Sequence, residues 1–230
     1  DHRRGSLGPP VYMRPSQFLL VEGLLGYHNE RLRGAHDVRV FVDPPEPLRR
    51  AWKLKRDCTR RGYTTDEVLA ELDRRERDAL EFIAPQRAFA DIVVRFKPGS
   101  DAAHLDADLV LRDTLPHPDL SPLLGVADGP TSERLEDAVM LRIPGSIDPE
   151  HADRLEHAVW ERMSFANHLR ATRLGEFTVG TDLRRSDSLA LVQVLILYQV
   201  MWARHEQRSA GASVRQLPRR SAGDDSALFL

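Results

Sequence analysis

Phe18-Leu19-Leu20-Val21-Glu22-Gly23 is an unbroken apolar run closed by an acid and a glycine, and Val38-Arg39-Val40-Phe41-Val42 and Ala90-Asp91-Ile92-Val93-Val94-Arg95-Phe96 follow it. Short runs that are apolar at consecutive positions suit strands buried on both faces of a parallel sheet. Turn residues stop each one: Gly23, Asp43-Pro44-Pro45 and Pro98-Gly99. Between the second and third runs the spacing predicts two helices. The first spans about Glu46 to Arg61, with Leu48, Ala51, Trp52 and Cys58 as its apolar face, and stops at Gly62, the favoured residue for a left-handed C-terminal cap. The second opens on Thr64-Thr65-Asp66-Glu67, a capping box, and carries Val68, Leu69 and Leu72 as a buried stripe. Strands alternating with helices imply an α/β class with crossover connections and a covered parallel sheet.

Past Gly99 the pattern changes. Ala107 to Arg112 and Ala138 to Ile143 read as strands around a proline-interrupted loop, Thr114 to Pro130, and predict a small mixed α+β subregion with antiparallel pairing. Asp148-Pro149 opens a long helix, with Ala152, Leu155, Val159, Met163, Ala166 and Leu169 recurring at three and four residues. Ser188 to Trp202 is nearly all apolar, but Gln193 and Gln199 interrupt it and it falls short of the ~20 residues a membrane span needs, so it reads as a buried helix. Residues 1–17 read as a Gly/Pro/Arg-rich loop, and the polar stretch from Glu206 to about Asp225 as disordered. The expected division is therefore 1–98, 99–205 and a tail over 206–230.

With 230 residues, 41% hydrophobic and 30% charged, the chain has the composition of an ordinary globular protein. A formal net charge of −2 argues against a general nucleic-acid binder, which carries a clustered basic excess. Cys58 stands alone, which excludes a disulfide within the chain and a cysteine-ligated zinc site. No basic-then-apolar leader is visible, so the expected setting is the cytoplasm, with no membrane partner.

Lys53, Arg56, Asp57 and Arg60 stand at i, i+3, i+4 and i+7 and share one helical face, with Arg61 beside it. Cations gathered around one carboxylate can clamp phosphate; the same spacing also describes a solvated surface laced with weak ion pairs. Glu22, at the carboxyl end of an expected strand, lies where open α/β sheets bind ligands, and could hold Mg²⁺ against substrate phosphates. The histidines form no metal set; His151 and His157, six apart, do not share a helical face. None of Lys53, Lys55 and Lys97 follows a glycine, so a G-x-x-x-x-G-K-[ST] phosphate loop is absent from the sequence.

Taken in order, Val21-Glu22-Gly23-Leu24, Trp52-Lys53-Leu54-Lys55-Arg56-Asp57, Arg61-Gly62-Tyr63-Thr64, Ile83-Ala84-Pro85-Gln86 and Ala90-Asp91-Ile92-Val93 resemble the phosphoribulokinase/uridine kinase family. Trp52 before the Lys-x-x-Arg-Asp run, Asn167-His168-Leu169 and Gly175-Glu176-Phe177-Thr178 resemble its phosphoribulokinase branch. The resemblance implies the C-terminal part of a P-loop nucleoside-kinase-like parallel sheet, and ATP-dependent phosphorylation of ribulose 5-phosphate. It implies ATP and Mg²⁺ as cofactors, Glu22 near the metal, and Lys53, Arg56 and Asp57 as catalytic groups on a lid-like segment. Arg61, Arg60 and His2 would meet the sugar phosphate. The family's P-loop and its N-terminal aspartate are not among these residues, and the expectation is that the chain is inactive alone. A uridine-kinase-like specificity and a non-catalytic binding module remain as alternatives. The apolar 188–202 helix would serve a homodimer interface as well as a core.

Overall fold

The computed structural model describes residues 8–12, 14, 16–100, 104–121, 124, 129–170, 173–179 and 181–209. A short helix α1 (Glu30–Arg33) precedes the edge strand β1 (Val40–Val42). The chain then leaves the sheet through α2 (Glu46–Arg60), α3 (Thr65–Arg74) and α4 (Glu76–Asp78), runs through a π turn (Ala79–Ile83) and a 3₁₀ turn (Ala84–Phe89), and re-enters as β2 (Ile92–Pro98). Strands β3 (Leu105–Arg112), β4 (Thr131–Arg134) and β5 (Ala138–Ile143) follow, then α5 (Pro149–Arg162) and a 3₁₀ turn (Ser164–Leu169). A hairpin of β6 (Glu176–Val179) and β7 (Asp182–Arg185) leads into the long α6 (Asp187–Ser209).

The sheet is mixed. β1 pairs parallel with β2, Phe41 opposite Val93, and the order β1-β2-β3-β5-β4 is completed by antiparallel pairs. The antiparallel strands expected as a separate subregion are therefore continuous with the parallel pair: β2 and β3 run side by side across residue 98, from Ile92 opposite Leu111 to Pro98 opposite Leu105. On β3 the side chains of Ala107, Leu109 and Leu111 are buried in alternation, as a strand with one core face requires. They meet Ile92, Val94, Leu141 and Ile143 under a layer made by Leu155 and Val159 of α5 and Leu191, Val194 and Leu195 of α6. The Ser188–Trp202 run is thus a core helix, and among the described residues no helix is long and apolar enough to cross a membrane.

Local signals fix the helix ends. Thr64 and Glu67 close the capping box at α3, Asp148 accepts from the His151 amide at α5, and Gly62 takes φ 74° just past α2. The α5 stripe buries Ala152, Leu155 and Val159 as expected; the helix stops at Arg162, so Met163 and Ala166 are buried from the 3₁₀ turn and Leu169 faces solvent. α6 continues to Ser209, beyond the expected start of the tail, and 210–230 lie outside the described residues.

Two expectations fail. Phe18–Val21 is not a strand: it is coil, and Leu20 is 95% exposed. A strand needs a neighbour to take its N–H and C=O groups, and among the described residues no strand pairs with this run. The expected apolar face of α2 is only partly covered: Leu48 and Cys58 are half-buried, but Trp52 is 40% exposed and Ala51 is exposed, while Asp57 is the one buried residue of that helix. α2 packs chiefly on α3, whose Val68 and Leu72 are buried, so its inward side is set by that helix rather than by the sheet.

Candidate functional site

The turn of α2 from Lys53 to Arg61 is where the charges meet. Asp57, 4% exposed, accepts from Arg56 Nε at 2.8 Å and Nη2 at 3.4 Å, and Arg61 Nη1 lies at 3.5 Å. Its backbone carbonyl accepts from the amides of Arg61 and Tyr63, which ties the Arg61-Gly62 turn to the helix end. The Arg56 hydrogen bond holds the Asp57 carboxyl below the usual carboxylate range, against the opposing effect of burial. Burial pulls the Lys53 ammonium down, and Asp57 pulls it back. Arg60 is exposed and has no carboxylate partner among the described residues. The structure thus brings Lys53, Arg56, Asp57 and Arg61 together and leaves Arg60 on the same open side.

Three cations, Lys53, Arg56 and Arg61, around one carboxylate leave a positive excess, and the guanidiniums of Arg56 and Arg61 are half exposed with N–H groups left over. This is chemistry for an anion with many acceptor oxygens. An Asp57 carboxyl held below its usual range is a weak proton acceptor at neutral pH, so its effect is to orient Arg56 and Arg61. It is a positioning group.

Glu22 is exposed in coil, not at a strand end, and its carboxylate has no partner among the described residues. The same residues contain no cluster of three His, Cys, Asp or Glu side chains fit to hold a metal. A single free carboxylate suits Mg²⁺ when water and substrate phosphate fill the other positions, so Glu22 fits as one ligand and no more. His2 lies outside the described residues.

Three polar groups missed by the charge-spacing argument shape this region. Gln86, buried, donates to the carbonyls of Leu24 and Phe82 and accepts from the Tyr27 amide, all at 2.8–2.9 Å, and so staples the segment after Gly23 to the 3₁₀ turn. Asp91, also buried, accepts from the Arg39 amide at 2.8 Å, its guanidinium at 2.7 and 3.0 Å, and the Thr114 hydroxyl at 2.8 Å. Asp43, just past β1, gathers Arg87 at 3.1 Å and Arg95 at 2.6 Å. Gln86 and Asp91 belong to the sequence blocks quoted above, and their hydrogen bonds explain them as structural members of those blocks.

The family model described as "Phosphoribulokinase / Uridine kinase family" matches residues 1–103, the stretch that contains β1, the α2–α3 excursion and β2. Residues 1–103, less than half of the chain, are thus similar to the phosphoribulokinase/uridine kinase family. Within it, phosphoribulokinase of Synechocystis sp. is 35% identical over 98 residues, 43% of this chain and 30% of that protein. Chloroplastic phosphoribulokinase of Spinacia oleracea is 31% identical over 112 residues, 49% of this chain and 28% of that protein. Uridine kinase of Enterobacter sp. is 34% identical over 95 residues, 41% of this chain and 44% of that enzyme. The matched stretch thus spans less than half the length of each of these relatives. Among solved structures, phosphoribulokinase from Rhodobacter spheroides superposes with a TM-score of 0.42 at 21% identity, over 60% of this chain and 52% of that one. The three sequence relatives are by name two phosphoribulokinases and a uridine kinase.

Proposed function

We propose that the chain is part of a phosphoribulokinase, which transfers the γ-phosphoryl group of ATP to ribulose 5-phosphate to give ribulose 1,5-bisphosphate and ADP, the carbon-acceptor step of the Calvin cycle. The observation that carries this is the α2 turn: Arg56 and Arg61 held by a buried, ionised Asp57, with Lys53 beside them. In the reaction the acceptor hydroxyl oxygen bonds to the γ-phosphorus as the bond to the ADP oxygen breaks. Little covalent chemistry is asked of the protein, and positioning plus neutralisation of the transferred charge does most of the work. Lys53 and Arg56 meet the ATP phosphates, Arg61 and Arg60 the sugar phosphate, and Asp57 keeps the guanidiniums pointed at them. His2 belongs with the sugar-phosphate group by its place in the sequence. Glu22 would hold Mg²⁺ as one ligand, and the ion would supply further neutralisation of the phosphates.

In this reading residues 1–98 carry the lid-like part of the kinase core and 99–205 its C-terminal region, which supports the lid through the shared sheet. The setting is cytoplasmic, the partners are small molecules, and the half-buried Ile196, Leu197 and Val200 of α6 offer the apolar surface for a contact between two copies. The test is an acceptor panel run with the protein at its full natural length: ATP and Mg²⁺ with ribulose 5-phosphate, and separately with uridine. Bisphosphate formation supports the proposal. Transfer to uridine alone moves the chain to the uridine kinase branch, and binding of a protein partner without any transfer favours a binding module.

A further inference from the structure

A second group of guanidiniums stands at the carboxyl end of β1, in the parallel pair with β2, where open α/β sheets receive ligands. Asp43 is the first residue past β1, and its amide donates to the Val94 carbonyl at 2.8 Å, which ties it to β2 before Pro44-Pro45 lead into α2. Its carboxylate collects one arginine from each of two elements. Arg87, in the 3₁₀ turn Ala84–Phe89, donates from Nε at 3.1 Å, and Arg95, in the middle of β2, donates from Nη2 at 2.6 Å. Both bonds go to the same oxygen, Oδ2. The α2 turn takes no part, since Arg56 and Arg61 are held by Asp57.

Strand geometry explains the meeting. Residues two apart on a strand share a face, and the register that sets Phe41 opposite Val93 brings Asp43 beside Arg95. Opposite Arg95 on β3 stands Asp108, and both of its oxygens accept from Lys97 Nζ at 2.9 Å, so that carboxylate has a cation of its own. Within the Asp43 trio two cations share one carboxylate, and one positive charge is left over. Arg87 is bonded through Nε and Arg95 through Nη2, so the remaining N–H groups of both forks carry no hydrogen bond among the described residues. The arginine side chains are 44% and 47% exposed and that of Asp43 is 25% exposed, so the carboxylate is the covered partner and the guanidiniums face water. Ion pairs this exposed stabilise a fold little. Two planar forks held by a shared carboxylate, with N–H groups to spare, instead lower the ordering cost of meeting a bidentate oxyanion.

We propose that Arg87 and Arg95 bind inorganic phosphate or the phosphate group of a small ester at the carboxyl end of β1. The proposal does not rest on the kinase reading, since no residue of the α2 turn takes part.

The experiment is a titration of the 230-residue chain with sodium phosphate, and separately with glycerol 3-phosphate, following the arginine Nε–Hε resonances by NMR at constant pH. Sodium chloride at matched ionic strength is the control. Arg87→Gln and Arg95→Gln assign the two signals, and each variant keeps the other arginine as its reporter. Because the signals belong to these two side chains, anion binding at the α2 turn does not confuse the readout, and failure here leaves the kinase reading standing. Saturable shifts of both signals are expected, with a dissociation constant on the order of 1 mM and a roughly tenfold weakening in either variant. The tighter titrant decides between free phosphate and an ester. Absence of saturable shifts, equal shifts with chloride, or unchanged affinity in either folded variant overturns the proposal.

Discussion

Asp57→Asn probes the α2 turn most sharply, because it keeps the side chain's volume and removes the charge that holds Arg56 at 2.8 Å and Arg61 at 3.5 Å. A hydrogen bond between charged partners contributes about 1.5–3 kcal/mol. Both arginines are half exposed, so water compensates part of the loss and about 1–2 kcal/mol is expected. Since α2 packs chiefly on α3, the loss appears first as local opening of α2 rather than global unfolding. Amide hydrogen exchange along Glu46–Arg60 reads it directly, as a rate increase of roughly 5–30-fold at neutral pH. The pH dependence has a definite sign. Asp57 has its folded pKa depressed by Arg56, so its stabilisation is fully present above the unfolded carboxylate value of about 3.9 and is lost as pH falls through the lower folded value. The variant-to-wild-type rate ratio should therefore hold steady from neutral pH down to the unfolded value and approach one below the folded value. Unchanged α2 exchange at neutral pH, or a ratio that persists at the acid extreme, refutes the reasoning.

Four further substitutions test local supports of the fold. Gln86→Leu removes three hydrogen bonds from a buried position and leaves the Leu24 and Tyr27 backbone groups to find water; a loss of about 2–3 kcal/mol is expected in urea denaturation, with faster proteolysis near Leu24. Asp91→Ala strips a half-buried Arg39 of its partner and also breaks the Thr114 bond, and should cost about 2–4 kcal/mol, read as a lower Tm. Gly175→Ala and Gly62→Ala share a positive φ, 79° and 74°, but differ in space. A Cβ on Gly175 would run into the Ser186 carbonyl oxygen, whereas Gly62 has nothing within 4 Å. The Gly62 variant should lose about 1 kcal/mol and the Gly175 variant clearly more, and equal losses would show that the Ser186 contact relaxes freely.

What the sequence made legible was local. The Thr64-Glu67 capping box, Gly62 beyond α2 and Asp148-Pro149 before α5 are signals read within one turn of chain, and each stands where expected. The charge spacing on α2 was equally local and brought Lys53, Arg56, Asp57 and Arg61 together. Phe18–Val21 was misread because an apolar run looks the same with or without a strand beside it, and pairing is a property of the neighbour. The buried side of α2 was misread for a related reason. Ala51 and Trp52 mark an apolar face only if something apolar covers it, and here Asp57 is the buried residue instead. The hydrogen bonds of Gln86 and Asp91 span 59 and 52 residues to Tyr27 and Arg39, a distance at which spacing carries no information. The Phe165–Trp202–His205 cluster is hidden in the same way.

In the proposed reaction the α2 turn receives the substrate phosphates, with Arg61 on the sugar side. Steady-state kinetics of Arg61→Gln, in the protein at its full natural length, test it most directly. KM for ribulose 5-phosphate is expected to rise at least about tenfold, the loss of one charge-assisted contact, while KM for ATP stays within about twofold. Unchanged KM for the sugar phosphate, or an equal loss for both substrates, would contradict it.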